Sequence, residues 1–183
     1  MLEVGTGSAR NLAALVRADM EVISLDDDAE RVSRLKHGRP EFRSRLLCAA
    51  YTQLPKTAGG YDAILSTHAL LHGEVSRIRA VLAEMRRVLG VKGRAYFTLG
   101  SSQDPRFGEG RQIGEATFAP ISGDEQDVPH SYFDEAGIRS LLGRFVIEQL
   151  FEHPVDDIAG KWAHQNSALS GAVHWFVTVR KVA

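Results

Sequence analysis

At 183 residues the chain is long enough for one domain with a sizeable core, and its 44% apolar and 25% charged residues are those of a globular protein, not a disordered or fibrous one. A net charge of −1, with arginines scattered among acids instead of gathered in a block, offers phosphate backbones no general attraction and argues against a nucleic-acid partner. No apolar run approaches the roughly 20 residues needed to span a bilayer and no signal peptide opens the chain, so a cytoplasmic protein without membrane insertion is expected.

Strands and helices alternate from the first residue, the pattern of a doubly wound parallel sheet. Met1 to Val4 reads as a strand, followed by a glycine turn and a helix from about Ser8 to Arg17 with Leu12, Leu15 and Val16 inward. Glu21 to Leu25 is a second strand, and the acidic stretch Asp26 to Glu30 suits the N-terminus of a second helix. Arg45 to Ala50 is a third strand, where apolar neighbours suggest that the single cysteine, Cys48, is a buried thiol with no disulfide partner. After a Pro/Gly-rich connection, Leu54 to Gly60, a short apolar strand runs from Ala63 to Ser66.

The clearest helix is Glu74 to Leu89, where Val75, Ile78, Leu82, Met85 and Leu89 mark one buried stripe. Gly90 stops it, Lys92-Gly93 turns, and Arg94 to Leu99 is a fifth strand. Residues 100–131 form a loop too long for a plain connector. A helix capped by Asp134, a strand from Val146 to Phe151 and a last strand from Val173 to Arg180 complete the chain. Trp162, His164, Trp175 and Phe176 read as core aromatics.

Leu2-Glu3-Val4-Gly5-Thr6-Gly7-Ser8-Ala9 sets a glycine turn between first strand and first helix, where a missing Cβ lets a ligand approach the backbone. Asp26 ends the second strand about twenty residues later, the offset of the acid that accepts hydrogen bonds from a ribose diol. Capping of the following helix is the alternative role for this carboxylate, which Asp27 and Asp28 can fill equally well. A dinucleotide loop needs a third glycine where Arg10 stands, which argues against an NAD-dependent oxidoreductase.

The chain resembles the class I S-adenosylmethionine-dependent methyltransferases, small-molecule type. The likeness rests on Glu3, Gly5 and Gly7, with Ala9 in place of a third glycine; on Val22 to Asp26; on Gln53-Leu54-Pro55 and Tyr61 to Ser66; and on Glu84 to Leu89 with Lys92-Gly93-Arg94. It covers about residues 1 to 100. It implies an α/β fold with a doubly wound, mostly parallel seven-stranded sheet, helices on both faces and an antiparallel C-terminal strand, all in one domain over residues 1–183. It also implies S-adenosylmethionine as cofactor and S-adenosylhomocysteine as product.

By the same resemblance Glu3 lies near the methionine amino group, and Gly5, Thr6 and Gly7 pack against the methionine part and ribose. Asp26 binds the ribose hydroxyls, and Asp27 and Tyr51 flank adenine, beside a position where the family often has an acid and this chain has Ala50. Ser66 and Thr67 line the methionine side. The methyl acceptor is expected to be a small molecule. Family members carry lid helices before the first strand, which are expected to be absent here, so a non-catalytic cofactor-binding module or a truncated methyltransferase is the rival reading.

His68 and His72, four apart after the fourth strand, suit the acceptor side and a base role. No third ligand stands near them at a motif-like spacing, so no metal is expected. His130 and Tyr132 are read as anchoring the entry to the next helix.

Overall fold

The computed structural model describes residues 1–55, 60–123, 125–155 and 171–182. Trp162 and His164 lie outside the described residues. The first half is a run of βα units: β1 (Leu2–Val4), α1 (Arg10–Arg17), β2 (Ile23–Asp26), α2 (Ala29–Gly38), a 3₁₀ turn (Pro40–Arg45) and β3 (Leu46–Cys48). Then come β4 (Tyr61–Ser66), α3 (Val75–Val88) and β5 (Leu89–Ser101). The second half holds β6 (Arg111–Gly114), β7 (Thr117–Ala119), β8 (His130–Phe133), α4 (Glu135–Leu141), β9 (Val146–Pro154) and β10 (Val173–Arg180).

The central order β3-β2-β1-β4-β5 is parallel throughout, and β10 and β9 close it as an antiparallel hairpin on β5. These are the seven expected strands. Among the described residues the sheet nevertheless has ten, because the segment expected to be a long loop folds into strands β6, β7 and β8. Its glycines and polar residues make the turns, while β8 is wholly buried and pairs parallel to the end of β5 through Gly100–Tyr132 and Ser101–Phe133. A second set of bonds ties β8 to the loop after β4: Ser131 N–H donates to the Leu71 carbonyl at 3.0 Å and Gly73 N–H to the Pro129 carbonyl at 2.7 Å.

Two apolar clusters occupy the two faces of the sheet. On one, Ile78, Val81, Leu82 and Met85 of α3 and Ile138 of α4 pack on Leu2, Val4, Ile64 and Phe97. On the other, Leu12 of α1, Val32 of α2 and Phe42 of the 3₁₀ turn pack around Val22 and Leu46. Each such fully buried side chain contributes roughly 1.5–3 kcal/mol. Trp175 joins the first cluster and donates its indole N–H to the Phe133 carbonyl at 2.8 Å, as a buried tryptophan must.

Several boundaries depart from the sequence expectation. The α3 helix passes directly into β5 at Leu89, so Gly90 does not end the chain's regular structure; the irregularity falls at Lys92, whose φ of 66° accompanies a register shift between β4 and β5. Cys48 is exposed, contrary to the expected buried thiol, because β3 is the edge strand and, among the described residues, pairs only with β2. His130 and Tyr132 are buried residues of β8, the strand that runs directly into the Asp134 cap of α4. Asp134 does cap α4, accepting from Gly137 N–H at 2.7 Å. No helix among the described residues is long and apolar enough to cross a membrane.

Candidate functional site

In an open α/β sheet ligands bind beyond the carboxyl ends of the strands, where the strand order reverses. Here that point is β1, flanked by β2 and β4. The carboxyl ends of these three strands open onto a cavity of about 640 Å³, within the range that takes a drug-sized ligand.

The floor of the cavity is the β1–α1 turn. Gly5 has φ +89°, and a Cβ there would meet the Ala69 Cβ at 2.4 Å; Gly7 has φ +53° with open space where its Cβ would be. Thr6 is tied down through Ser24, 2.7 Å from its hydroxyl, and Ser24 in turn donates to Glu3 Oε2 at 2.5 Å. Ala9, standing where the resemblance has glycine, keeps the left-handed conformation with φ 60° and is fully buried. The backbone path of the loop is thus retained at the cost of local strain, of order 1–2 kcal/mol for an L-residue.

Asp26 lies at the end of β2 and lines the cavity. Asp28 is the residue that caps α2, accepting from Arg31 N–H at 2.9 Å. Capping therefore does not occupy Asp26. Its Oδ1 accepts from Asp28 N–H at 3.1 Å and from Arg31 Nη1 at 2.8 Å, while Oδ2 accepts only a 3.2 Å bond from Gly7 N–H and keeps acceptor capacity toward the cavity.

Beyond Asp26, Arg77 of α3 draws the next part of the wall together. It pairs with Asp27 at 2.6 Å, lies over the Tyr51 ring at 5.5 Å and donates to the His72 carbonyl at 2.7 Å. Burial and the charges of Asp26 and Asp27 push the Tyr51 hydroxyl well above its ordinary range, so it stays protonated. Sequence reasoning does not single out Arg77, which stands on the polar side of an amphipathic helix like any solvated arginine. On the other wall Asn11 of α1 donates to the Thr67 hydroxyl at 2.8 Å.

Of the expected cofactor residues, Gly5, Thr6, Gly7, Asp26, Asp27, Tyr51 and Thr67 line this cavity. Glu3, Ala50 and Ser66 do not. Ser66 is fully buried below it and donates to the Val4 carbonyl at 2.7 Å, locking β4 to β1; Ala50 is exposed outside it.

Glu3 is buried beneath the glycine turn, and desolvation pushes its carboxyl up to about 7 against the opposing hydrogen bonds of Ser24 and Asn11. Its folded value lies above the ordinary 4.5, so the native state holds a proton that the unfolded chain releases. The stability this brings is complete below pH 4.5 and is lost as pH rises through 7, a change of about 3 kcal/mol. Glu3→Gln is therefore expected to raise Tm at pH 8 by about 5–10 °C and to leave it nearly unchanged at pH 4. Thermal melts of both proteins across that range check this, and parallel curves would remove Glu3 as the source.

His68 and His72 close the far end of the cavity. His68 has φ 57°, a strained value for a non-glycine residue, fixed by a 2.8 Å bond from its N–H to the Thr98 hydroxyl. Its ring stacks on His174 of β10 at 5.1 Å and meets His72 edge-on at 5.5 Å. Burial drives the His174 ring down to about 4, so it is neutral. His72 in turn meets His130 of β8 at 4.8 Å. Between these two rings lies Glu125, 3.5 Å from His72 Nε2 and 3.1 Å from His130 Nε2. The His130 and His72 rings beside it hold its carboxyl far below the usual carboxylate range, so it is ionised. Glu125 is invisible to sequence reasoning because it lies in a polar turn remote from both histidines.

The profile of the methyltransferase domain family matches residues 2–97. No curated protein matches the chain. Among solved structures the chain is similar to a SAM-dependent methyltransferase from Methanosarcina mazei, at 17% identity over 99% of this chain and 91% of that one, with a TM-score of 0.77. It is also similar to the 1,6-didemethyltoxoflavin-N1-methyltransferase of Burkholderia thailandensis, solved with 1,6-didemethyltoxoflavin and S-adenosylhomocysteine, at 19% identity over 100% and 70% of the chains and a TM-score of 0.69. A third is the magnesium protoporphyrin IX methyltransferase of Synechocystis PCC 6803 with bound SAM, at 14% identity over 98% and 68%, with a TM-score of 0.62. At such identities the likeness speaks for the fold.

Proposed function

The chain belongs to the class I methyltransferase family, whose methyl donor is S-adenosylmethionine, and we propose that its cavity performs methyl transfer to a small-molecule acceptor. The observation that carries this reading is the cavity at the strand reversal, where a glycine backbone with no Cβ and the carboxylate of Asp26 face the same space.

S-adenosylmethionine, when bound, supplies a methyl group already activated on a sulfonium, so the protein's task is chiefly binding and alignment. Asp26 Oδ2 accepts from a ribose hydroxyl, and the Gly5 to Gly7 backbone packs against the methionine part and ribose. Asp27 and Tyr51, braced by Arg77, flank adenine next to Ala50. Thr67, oriented by Asn11, lines the methionine side, with Ser66 fixing the strand end behind it. Glu3, whose carboxyl is raised to about 7 by its burial, is the group a cationic amino group above the turn would return to carboxylate.

His68 and His72 form the acceptor end and lower the cost of deprotonating a hydroxyl or amine there. The acidic and basic groups lining the cavity are mixed, which suits a small polar acceptor and gives no continuous basic track for nucleic acid. The lone, exposed Cys48 is compatible with a reducing cytoplasm.

Calorimetric titration with S-adenosylmethionine, S-adenosylhomocysteine and NAD tests the reading. Binding of the first two at one site per chain is expected; binding of NAD alone would overturn it. Once an acceptor is in hand, His72→Ala is expected to lower turnover by about 10²–10⁴-fold with cofactor affinity unchanged, and unchanged turnover would end the acceptor role of His72.

A further inference from the structure

We propose that His68, His72 and Glu125 bind a divalent first-row transition ion at the acceptor end of the cavity. One donor atom from each of these three side chains lies within 4.8 Å of the others, and all three residues line the cavity that holds the glycine turn. His72 Nε2 is buried and makes no hydrogen bond among the described residues, yet sits 3.5 Å from Glu125 Oε1. That separation is close to the edge of a tetrahedron around an ion bonded at about 2.0–2.1 Å.

The remaining carboxylate oxygen is already held in the manner of a metal site's outer sphere. His130 Nε2 lies 3.1 Å from Glu125 Oε2, and its other nitrogen is 2.8 Å from the Val128 carbonyl. The imidazole is thereby fixed in orientation, and Oε1 is left to face the histidines. The buried His174 ring, stacked behind His68 at 5.1 Å, backs the site.

Two imidazoles and one carboxylate select zinc and its neighbours over magnesium or calcium, which want oxygen ligands. Three protein ligands also leave coordination positions open. The consequence for chemistry rests on the methyltransferase reading: an acceptor whose hydroxyl or amine reaches an open position is made more acidic. It gives its proton to water, its oxygen or nitrogen gains the methyl group, and the donor leaves as S-adenosylhomocysteine. The acceptors this favours are those that can also ligate a metal, such as phenols with a neighbouring oxygen, hydroxy acids or ring amides.

Calorimetry with Zn²⁺, and visible absorption with Co²⁺ as its spectroscopic substitute, test the site on the chelator-treated full chain without cofactor. One ion per chain is expected, with Mg²⁺ failing to compete. His130→Ala, which frees the carboxylate, is expected to weaken binding about 10–100-fold, and His72→Ala and Glu125→Gln more than that. His37→Ala, on α2 away from the cavity, is expected to change nothing. Glu125→Gln keeps the shape of a partly exposed turn residue and so carries the test even where His72→Ala lowers Tm.

No stoichiometric binding of either ion overturns the proposal, as does binding that survives both His72→Ala and Glu125→Gln. Titration of S-adenosylhomocysteine into the same samples separates the two readings. Cofactor binding without zinc binding sinks the metal site alone; zinc binding without cofactor binding sinks the methyltransferase reading and leaves the metal site.

Discussion

Gly5→Ala is expected to lower Tm by roughly 10 °C or to prevent folding at 37 °C. A methyl group at this position meets the Ala69 Cβ at 2.4 Å, well inside contact distance, and the residue stands at φ +89° where an L side chain is strained. The left-handed conformation costs about 1–2 kcal/mol and overpacking about 1–3 kcal/mol more, and a domain of this size loses about 2–4 °C per kcal/mol. Relief by backbone movement is blocked because Gly5 and Thr6 N–H both donate to the Leu25 carbonyl, at 2.9 and 3.2 Å. Gly7→Ala is the comparison. Its Cβ has nothing within 4 Å, so stability falls by only about 1–2 kcal/mol while cofactor affinity drops. Thermal melts with and without S-adenosylhomocysteine check both; equal Tm losses at the two glycines would mean that Ala69 yields and the steric argument is wrong.

Asp26→Asn is expected to weaken S-adenosylhomocysteine binding by about 100-fold. A hydrogen bond to a charged group contributes about 1.5–3 kcal/mol net; an amide NH2 in place of the cavity-facing Oδ2 removes that bond, and its full value of roughly 3 kcal/mol is about two decades in Kd. The fold should tolerate the change. Asparagine keeps an oxygen at the Oδ1 position for Asp28 N–H and Arg31 Nη1, and gives up the longer 3.2 Å bond from Gly7 N–H. Calorimetry on the variant gives the answer directly. A Kd within threefold of the parent would return Asp26 to a structural role as the ligand of Arg31.

The side of the cleft proposed for the cofactor was legible because its chemistry is local. A glycine turn and an acid at the end of the next strand are set by the βα unit itself, so Gly5, Gly7 and Asp26 meet in space as their spacing implies. The same local logic placed the last strand, observed as Val173–Arg180. Where the logic is not local it fails. Periodicity cannot tell an edge strand from a central one, which is why Cys48 was expected inside and is found exposed. Residues 100–131 contain short strands with polar turns between them, a pattern that gains its stability only from burial of β8 against β5 and the loop after β4, and the alternation within each strand is too brief to read. Glu125 and Arg77 reach the cavity through tertiary folding alone.

The acceptor end draws its groups from three separate stretches of chain: the loop after β4, the β6–β8 meander and the last strand, β10. The cofactor cradle draws on residues 5 to 77. The longest span at the site is the stacking of His68 on His174 of β10, which ties the acceptor end to the last strand of the chain. Glu125 and His130 reach His72 from the meander, whereas Gly5, Asp26, Tyr51 and Arg77 belong to other elements, so a molecule whose meander has loosened is expected to keep the proposed cofactor cradle after it has lost the proposed acceptor end.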